Sequence, residues 1–429
     1  MKNILLILLV LFTICKLNAA ESFSFYLDKA LKNNLELNAE RKKLESAKQS
    51  KNISRSEFLP SITISGDQTS STSSNRTNQS GSSLADTNLD SESKKISIEQ
   101  KIFSGFKGLN TFKKSDLEIQ RANLELKEKE QKTILDTAFA YYDLIYKTKN
   151  ENVNISNVNL FERQVEYDNA RVQKGEVSLT DLAQSESSLA GANANLIKAN
   201  TELLSSISNF ERVTGERAPN IENLNGKEIL VLPSSLNSAQ EISNLNNINL
   251  LISKLNFEIS KKELNIERSR FSPTASIEVS KTENSDFSST VDEKDEEKVK
   301  ATISWPIIKG GENISSIKKS TFNKQRYQLL LQDTKNKISI DTSNSWSKYQ
   351  SSKSVLEATR AQLKAAEIAN EGITLEYDSG NTRTTLEVIQ SRSLLFEARI
   401  AFAKAERDFM ISQFELAKQI GTLSKNSLK

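Results

Sequence analysis

The sequence predicts a mainly α fold with β-strands, in which an arrangement of long coiled helices and a strand pair occurs twice. Three observations predict it. The chain repeats itself at a nearly constant spacing, two long stretches are almost free of helix breakers, and two short regions alternate polar and apolar residues with a period of two.

The repeat is legible residue by residue. Asn33-Asn34-Leu35-Glu36-Leu37 resembles Asn246-Asn247-Ile248-Asn249-Leu250, and Arg55-Ser56-Glu57-Phe58-Leu59-Pro60 resembles Arg268-Ser269-Arg270-Phe271-Ser272-Pro273, both at an offset of 213. Ile98, Ile102 and Gly105 match Ile303, Ile307 and Gly310 at an offset of 205, and Gly175 meets Gly380 at the same offset. Ordered blocks of this kind mark a tandem duplication.

The elements follow in order. Lys2, the apolar run Ile4 to Ile14 and the small Ala19 and Ala20 read as a signal peptide over 1–20, too short to span a bilayer. Cys15 raises a lipoprotein alternative, against which stands the bulky Ile14 before it. A first repeat over 21–216 reads as helix, strand pair (about 61–103), long helix, turn and helix. An inter-repeat segment over 217–238 holds Pro219 and Pro233. A second repeat over 239–421 has its strand pair at about 274–307, and a tail covers 422–429.

From Leu109 to Lys174 there is neither glycine nor proline, and an unbroken helix there would reach about 100 Å. Its counterpart is expected over Glu312 to Tyr377. Seven-residue spacings such as Leu117/Leu124, Ile134/Tyr141, Leu135/Tyr142, Ala138/Ile145 and Leu356/Leu363 predict helices coiled on one another. In the first strand pair Ile62, Ile64 and Gly66 alternate, then Ile96, Ile98 and Ile102 resume after a Ser/Asn/Thr-rich loop. In the second, Ala275, Ile277 and Val279 precede Ala301, Ile303 and Trp305, with Asp292 to Glu297 expected as an acidic loop.

Composition narrows the function classes. Histidine is absent, which removes the usual general base and the commonest metal ligand, and if the one cysteine leaves with the leader, thiol chemistry is missing too. No phosphate loop, metal-ligand cluster or nucleophile-base pair appears, so the chain is expected not to be an enzyme and to use no cofactor. The formal charge of +3 falls to +1 once Lys2 and Lys16 are cleaved away, which gives nucleic acid no footing. After the leader no apolar stretch suits a membrane helix, so a membrane crossing would have to be a β-barrel. Four strands cannot close one, since the smallest have about eight, and oligomerisation follows. Phe58, Phe103, Phe106, Phe271 and Trp305 sit at the strand ends, either as an interfacial aromatic belt or as packing at helix-strand junctions.

With its two turn regions, Lys174-Gly175-Glu176-Val177-Ser178-Leu179-Thr180-Asp181-Leu182 and Tyr377-Asp378-Ser379-Gly380-Asn381-Thr382-Arg383-Thr384-Thr385-Leu386-Glu387-Val388-Ile389-Gln390, the mature chain resembles the TolC family of outer-membrane efflux proteins. That resemblance implies a homotrimer in the outer-membrane lipid, with a twelve-stranded barrel continued by a hollow α-barrel in the periplasm. It also implies a periplasmic adaptor (a membrane fusion protein) and an inner-membrane transporter, either a proton-driven RND pump or an ABC transporter of a type I secretion system. The implied gate network comprises Thr180, Asp181, Tyr377 and Arg383, and the turns at Gly175 and Gly380 would contact the adaptor. Glu387 and Gln390 match a pair of acidic rings at the pore constriction, here with one ring neutral. One extra residue between Gly380 and Glu387 leaves the second register open by one position. A periplasmic coiled-coil adaptor or scaffold is the alternative, since it too would carry long helical hairpins.

Overall fold

The computed structural model describes residues 22–219, 230–288, 290–379 and 383–427. The leader with Cys15, and Gly380 of the second turn, lie outside the described residues. Helices α1 (Phe23–Asn33) and α2 (Leu35–Ser56) lead to strands β1 (Ser61–Ser73) and β2 (Thr87–Phe103), then to α3 (Lys107–Gln173) and α4 (Leu179–Thr214). The second half repeats the order with α5 (Leu236–Asn246), α6 (Ile248–Arg268), β3 (Thr274–Ser288), β4 (Val291–Ser304), α7 (Glu312–Asp378) and α8 (Thr385–Gln419). Helices α3 and α7 have 67 residues each.

Two expectations are corrected. The helix before each strand pair is two helices, broken at Asn34 and Asn247, which both leave the helical region (ψ 116° and 120°). Each asparagine ends one helix and caps the next: Leu37 N donates to Asn34 Oδ1 at 2.9 Å and Leu250 N to Asn247 Oδ1 at 3.1 Å. The acidic stretch Asp292 to Glu297 is no loop but part of β4, where Glu297 faces Lys281 and Asp295 faces Glu283 across the ladder. Acidic side chains are tolerated there because both faces of that stretch stay largely exposed.

The chain forms two compact units. One, from 42–124 and 252–333, holds a four-stranded antiparallel sheet in the order β1-β2-β3-β4. Its register places Ile62 opposite Ile98, Ile98 opposite Val279, and Val279 opposite Val299. Ile64, Ile96, Ile277 and Ile303 fall on the same face, so one side of the sheet carries an exposed apolar band. The opposite face is Ser/Thr-rich and carries the 2.7 Å Lys95–Glu278 ion pair. Among the described residues β1 and β4 each pair on one side only. Phe106 and Trp305 are 63 % and 62 % exposed, so interior packing does not account for them. Phe103 meets Phe106 edge-on at 5.6 Å, and Trp305 Nε1 donates to Phe271 O at 3.0 Å.

The other unit, from 1–41, 125–251 and 334–429, is helical. In α1 the residues Phe23, Tyr26, Leu27 and Ala30 form one buried stripe. Phe23 packs on Tyr141 of α3 (5.4 Å between centroids) and Phe414 of α8 (5.6 Å), and Tyr26 on Phe210 of α4 (4.9 Å). The equivalent α5 buries only Ala239 and Ser243, and its cluster adds Leu416, Ile420, Trp346 and Tyr349. A close approach sets the end of α8: Gly421 has φ +77°, and a Cβ there would meet Asn246 O at 2.1 Å.

Candidate functional site at the hairpin turns

Further along the helical unit, the buried face of α3 turns polar. Asn150, Asn154, Asn157, Gln164 and Asp168 are all buried, with Phe161 the apolar member of the series. Spacings of three and four keep them on one side of the helix, in the direction of the α3–α4 turn.

That turn closes by Gly175 N donating to Val172 O (3.0 Å) and Glu176 N to Arg171 O (2.9 Å). Gly175 adopts φ +72° with open space where a side chain would be. Helix α4 then starts from a reciprocal cap. The Ser178 hydroxyl accepts from Asp181 N (3.2 Å), while Asp181 accepts from Ser178 N (3.0 Å) and Ser178 Oγ (2.7 Å). Those bonds from the Ser178 hydroxyl and backbone hold the Asp181 carboxyl below its usual range.

Helix α8 starts the same way. Glu387 N donates to Thr384 Oγ1 (3.3 Å), and Glu387 accepts from Thr384 N (2.8 Å) and Thr384 Oγ1 (3.1 Å). Arg383 Nη1 adds a 2.9 Å bond to Glu387, and Arg383 Nε reaches Glu376 at 2.6 Å. The Thr384 backbone, and then Arg383, push the Glu387 carboxyl down. Thr384–Glu387 is thus the structural equivalent of Ser178–Asp181, at an offset of 206. Gly175 and Gly380 are 205 apart, so the extra residue lies between Gly380 and Thr384, and Glu387 is the counterpart of Asp181.

The expected gate residues are therefore not one cluster within the chain. No hydrogen bond or ion pair joins Asp181 to Arg383 or to Tyr377 among the described residues; Thr180 is exposed on the first turn of α4, and Gln390 is exposed on α8. Tyr377 is buried elsewhere. Its hydroxyl accepts from Arg171 Nη1 at 2.8 Å and lies 3.1 Å from Thr385 Oγ1 and 3.4 Å from Asp168 Oδ1. The Arg171 guanidinium also lies over the Tyr167 ring (5.3 Å) and the Tyr377 ring (5.4 Å). Burial acts to lower Arg171, but Tyr377 and Glu176 outweigh it and hold the guanidinium above its usual range.

Asp168 is fully buried. Gln164 Nε2 donates to both its oxygens at 3.0 Å, and the Ser185 hydroxyl makes a short bond to Oδ2. Gln164 Oε1 in turn accepts from Arg392 Nη1 at 2.9 Å, and burial pulls the Arg392 guanidinium down. Gln164, Asp168, Arg171, Ser185, Thr385 and Arg392 were not singled out by sequence reasoning. The one available signal was a run of polar residues at helical spacing in a helix that elsewhere buries apolar ones. Hydroxyls, amides and guanidinia in this arrangement join the helices through hydrogen bonds. No cluster suited to a metal occurs among the described residues.

Residues 26–216 and 242–422 match the profile of a family described as outer membrane efflux protein. Among individual relatives, the outer membrane efflux protein BepC of Brucella suis biovar 1 (strain 1330) is 23% identical over 95% of this chain and 87% of its own length. The outer membrane protein TolC of Escherichia coli (strain K12) is 22% identical over 96% and 84%. Among solved structures, the Campylobacter jejuni CmeC outer membrane channel superposes with a TM-score of 0.81 at 16% identity, over 93% of this chain and 85% of that one. The Neisseria gonorrhoeae MtrE outer membrane channel gives 0.77 at 14% identity, over 94% and 91%.

Proposed function

The chain belongs to the outer membrane efflux protein family, and on that footing we propose that three copies close into a passive duct gated at the hairpin turns. It is an outer-membrane protein reaching into the periplasm, the exit duct of an efflux system. The adaptor or scaffold alternative falls with the family match across both repeats.

The observation that carries the trimer is the open sheet. Its apolar band suits lipid, yet among the described residues β1 and β4 each have an unpaired edge, and unpaired backbone is not tolerated in hydrocarbon. Antiparallel closure of β4 on β1 of the next copy removes every edge and gives twelve strands from three chains.

The gate reading rests on the turns. Within a chain Asp181 is held by its own cap and Arg383 by Glu376 and Glu387, so a bond between Asp181 and Arg383 joins neighbouring copies. Thr180 beside Asp181 and the buried Tyr377 complete that network. Glu387 forms the one acidic ring at the constriction, with Gln390 neutral a turn further on. The turns around Gly175 and Gly380 receive a periplasmic adaptor, and an RND or ABC transporter of the inner membrane supplies the energy. The duct itself performs no enzymatic step and needs no cofactor.

Planar-bilayer recording tests the gate. Arg383→Ser is expected to raise single-channel conductance by freeing the neighbouring copy. Conductance equal to the unaltered protein would sink the gate reading, and a monomer in outer-membrane extracts would sink the trimer.

A further inference from the structure

Asp168 is a fully buried carboxylate that the proposed gate does not use, and the four helices of both hairpins meet on it. Gln164 and Asp168 itself belong to α3, Ser185 to α4, Tyr377 to α7, and Thr385 and Arg392, which reach it at one remove, to α8. No cation lies within ion-pair distance of it among the described residues, and its direct hydrogen-bond partners are all neutral side chains.

With Asp168 as a carboxylate, one assignment of protons satisfies all of these hydrogen bonds. An ionised carboxylate only accepts, so Gln164 must point its amide nitrogen at it. Arg392 fixes that orientation, because its guanidinium can only donate and takes Gln164 Oε1. Arg171 likewise only donates to the Tyr377 hydroxyl, which leaves the tyrosine's own proton free for Asp168 while Thr385 can donate to the tyrosine oxygen. Remove the carboxylate charge and the tyrosine proton loses its one charged acceptor among the described residues.

We propose that Asp168 is a positioning residue of the duct, an anchor inside each chain that fixes Tyr377 and thereby holds the α3–α4 and α7–α8 hairpins in one setting. This rests on the reading that the hairpin turns gate the duct. It differs from the expected Asp181–Arg383 contact in being buried, internal to one chain and insensitive to added salt, since buried groups are screened far less than exposed ones.

The test uses the full-length protein in planar bilayers with three variants, Asp168→Asn, Tyr377→Phe and the double change. The first keeps shape and removes charge; the second deletes only a hydroxyl. Each single change is expected to raise the open population about tenfold, the size of shift that one lost charged hydrogen bond makes in a two-state equilibrium. The double variant should gain no more than either alone, which loss of stability at two separate sites would not produce. Independent, multiplying effects would overturn the anchor. If both single variants conduct like the unaltered protein while Arg383→Ser opens it, the anchor falls and the gate stands. Were Arg383→Ser silent too, anchor and gate would fall together. Should Asp168→Asn fail to assemble, Ser185→Ala decides, since it removes a donor to Asp168 and touches no gate residue: raised conductance supports the anchor, unaltered conductance overturns it.

Discussion

The Tyr377 hydroxyl near the end of α7 accepts a 2.8 Å hydrogen bond from Arg171 near the end of α3, two residues 206 positions apart in sequence. Arg171 also lies over the rings of Tyr167 and Tyr377, which meet edge-on at 6.1 Å, so one side chain ties the two hairpins at their turns.

Arg171→Gln is expected to loosen both turns. A hydrogen bond with one charged partner and a partly buried cation–π contact together amount to about 2 kcal/mol, or about thirtyfold in a local opening equilibrium. Hydrogen exchange of the amides near Gly175 and Ser379 should accelerate by about that factor. Exchange unchanged at both turns would show that Arg171 is dispensable there.

Two of the glycines with positive φ, Gly175 and Gly421, separate a packing effect from a backbone effect. Gly175→Ala meets nothing within 4 Å and should cost about 1 kcal/mol of left-handed strain. Gly421→Ala carries the same strain and drives its methyl group into Asn246 O, so about 2 kcal/mol or more is expected. Thermal unfolding of the two variants checks the order; equal losses would contradict the close approach at Asn246.

The capping carboxylates make the turns acid-sensitive. Asp181 and Glu387 are held below their usual range by Ser178 and Thr384, so their folded values lie below the unfolded ones. Stability from a depressed carboxyl is fully present above the unfolded value and is lost as pH falls through the folded one. Proteolysis at the turns should therefore rise on acidification below the ordinary carboxylate range. A Ser178→Ala, Thr384→Ala double variant should flatten that dependence, and an unchanged profile would remove the caps as its cause.

Much of this architecture was legible because it is periodic. The strand pairs showed as alternation at Ile62/Ile64 and Ile277/Val279, and the long helices as stretches without breakers. The breaks at Asn34 and Asn247 were not read, because asparagine there served as a repeat marker while its side chain was capping a new helix. Asp292 to Glu297 looked like a loop because acidic residues seldom form strands, a preference that ladder pairing overrides. The caps Ser178/Asp181 and Thr384/Glu387 follow a short motif but were not read as caps, because Asp181 and Glu387 were assigned to the gate and the constriction. Asp168 was not: its burial is decided by four helices converging from distant parts of the chain, and no local spacing reports that.

The acidic ring yields the last prediction. Glu387 and Gln390 are three apart on α8, so an acid at both would stack two rings within one helical turn. Here only Glu387 is ionised, and Arg383 offsets part of its charge at 2.9 Å. Multivalent cations are therefore expected to block the pore weakly. Gln390→Asp adds three carboxylates that no arginine offsets, and should tighten block by about tenfold or more, since focused charge in a narrow opening concentrates counter-ions. Arg383→Ser should tighten it too, by unmasking Glu387, although it widens the pore. Titrating a trivalent cation against single-channel current at neutral pH measures all three. Tight block of the unaltered protein would mean that charges other than Glu387 guard the constriction.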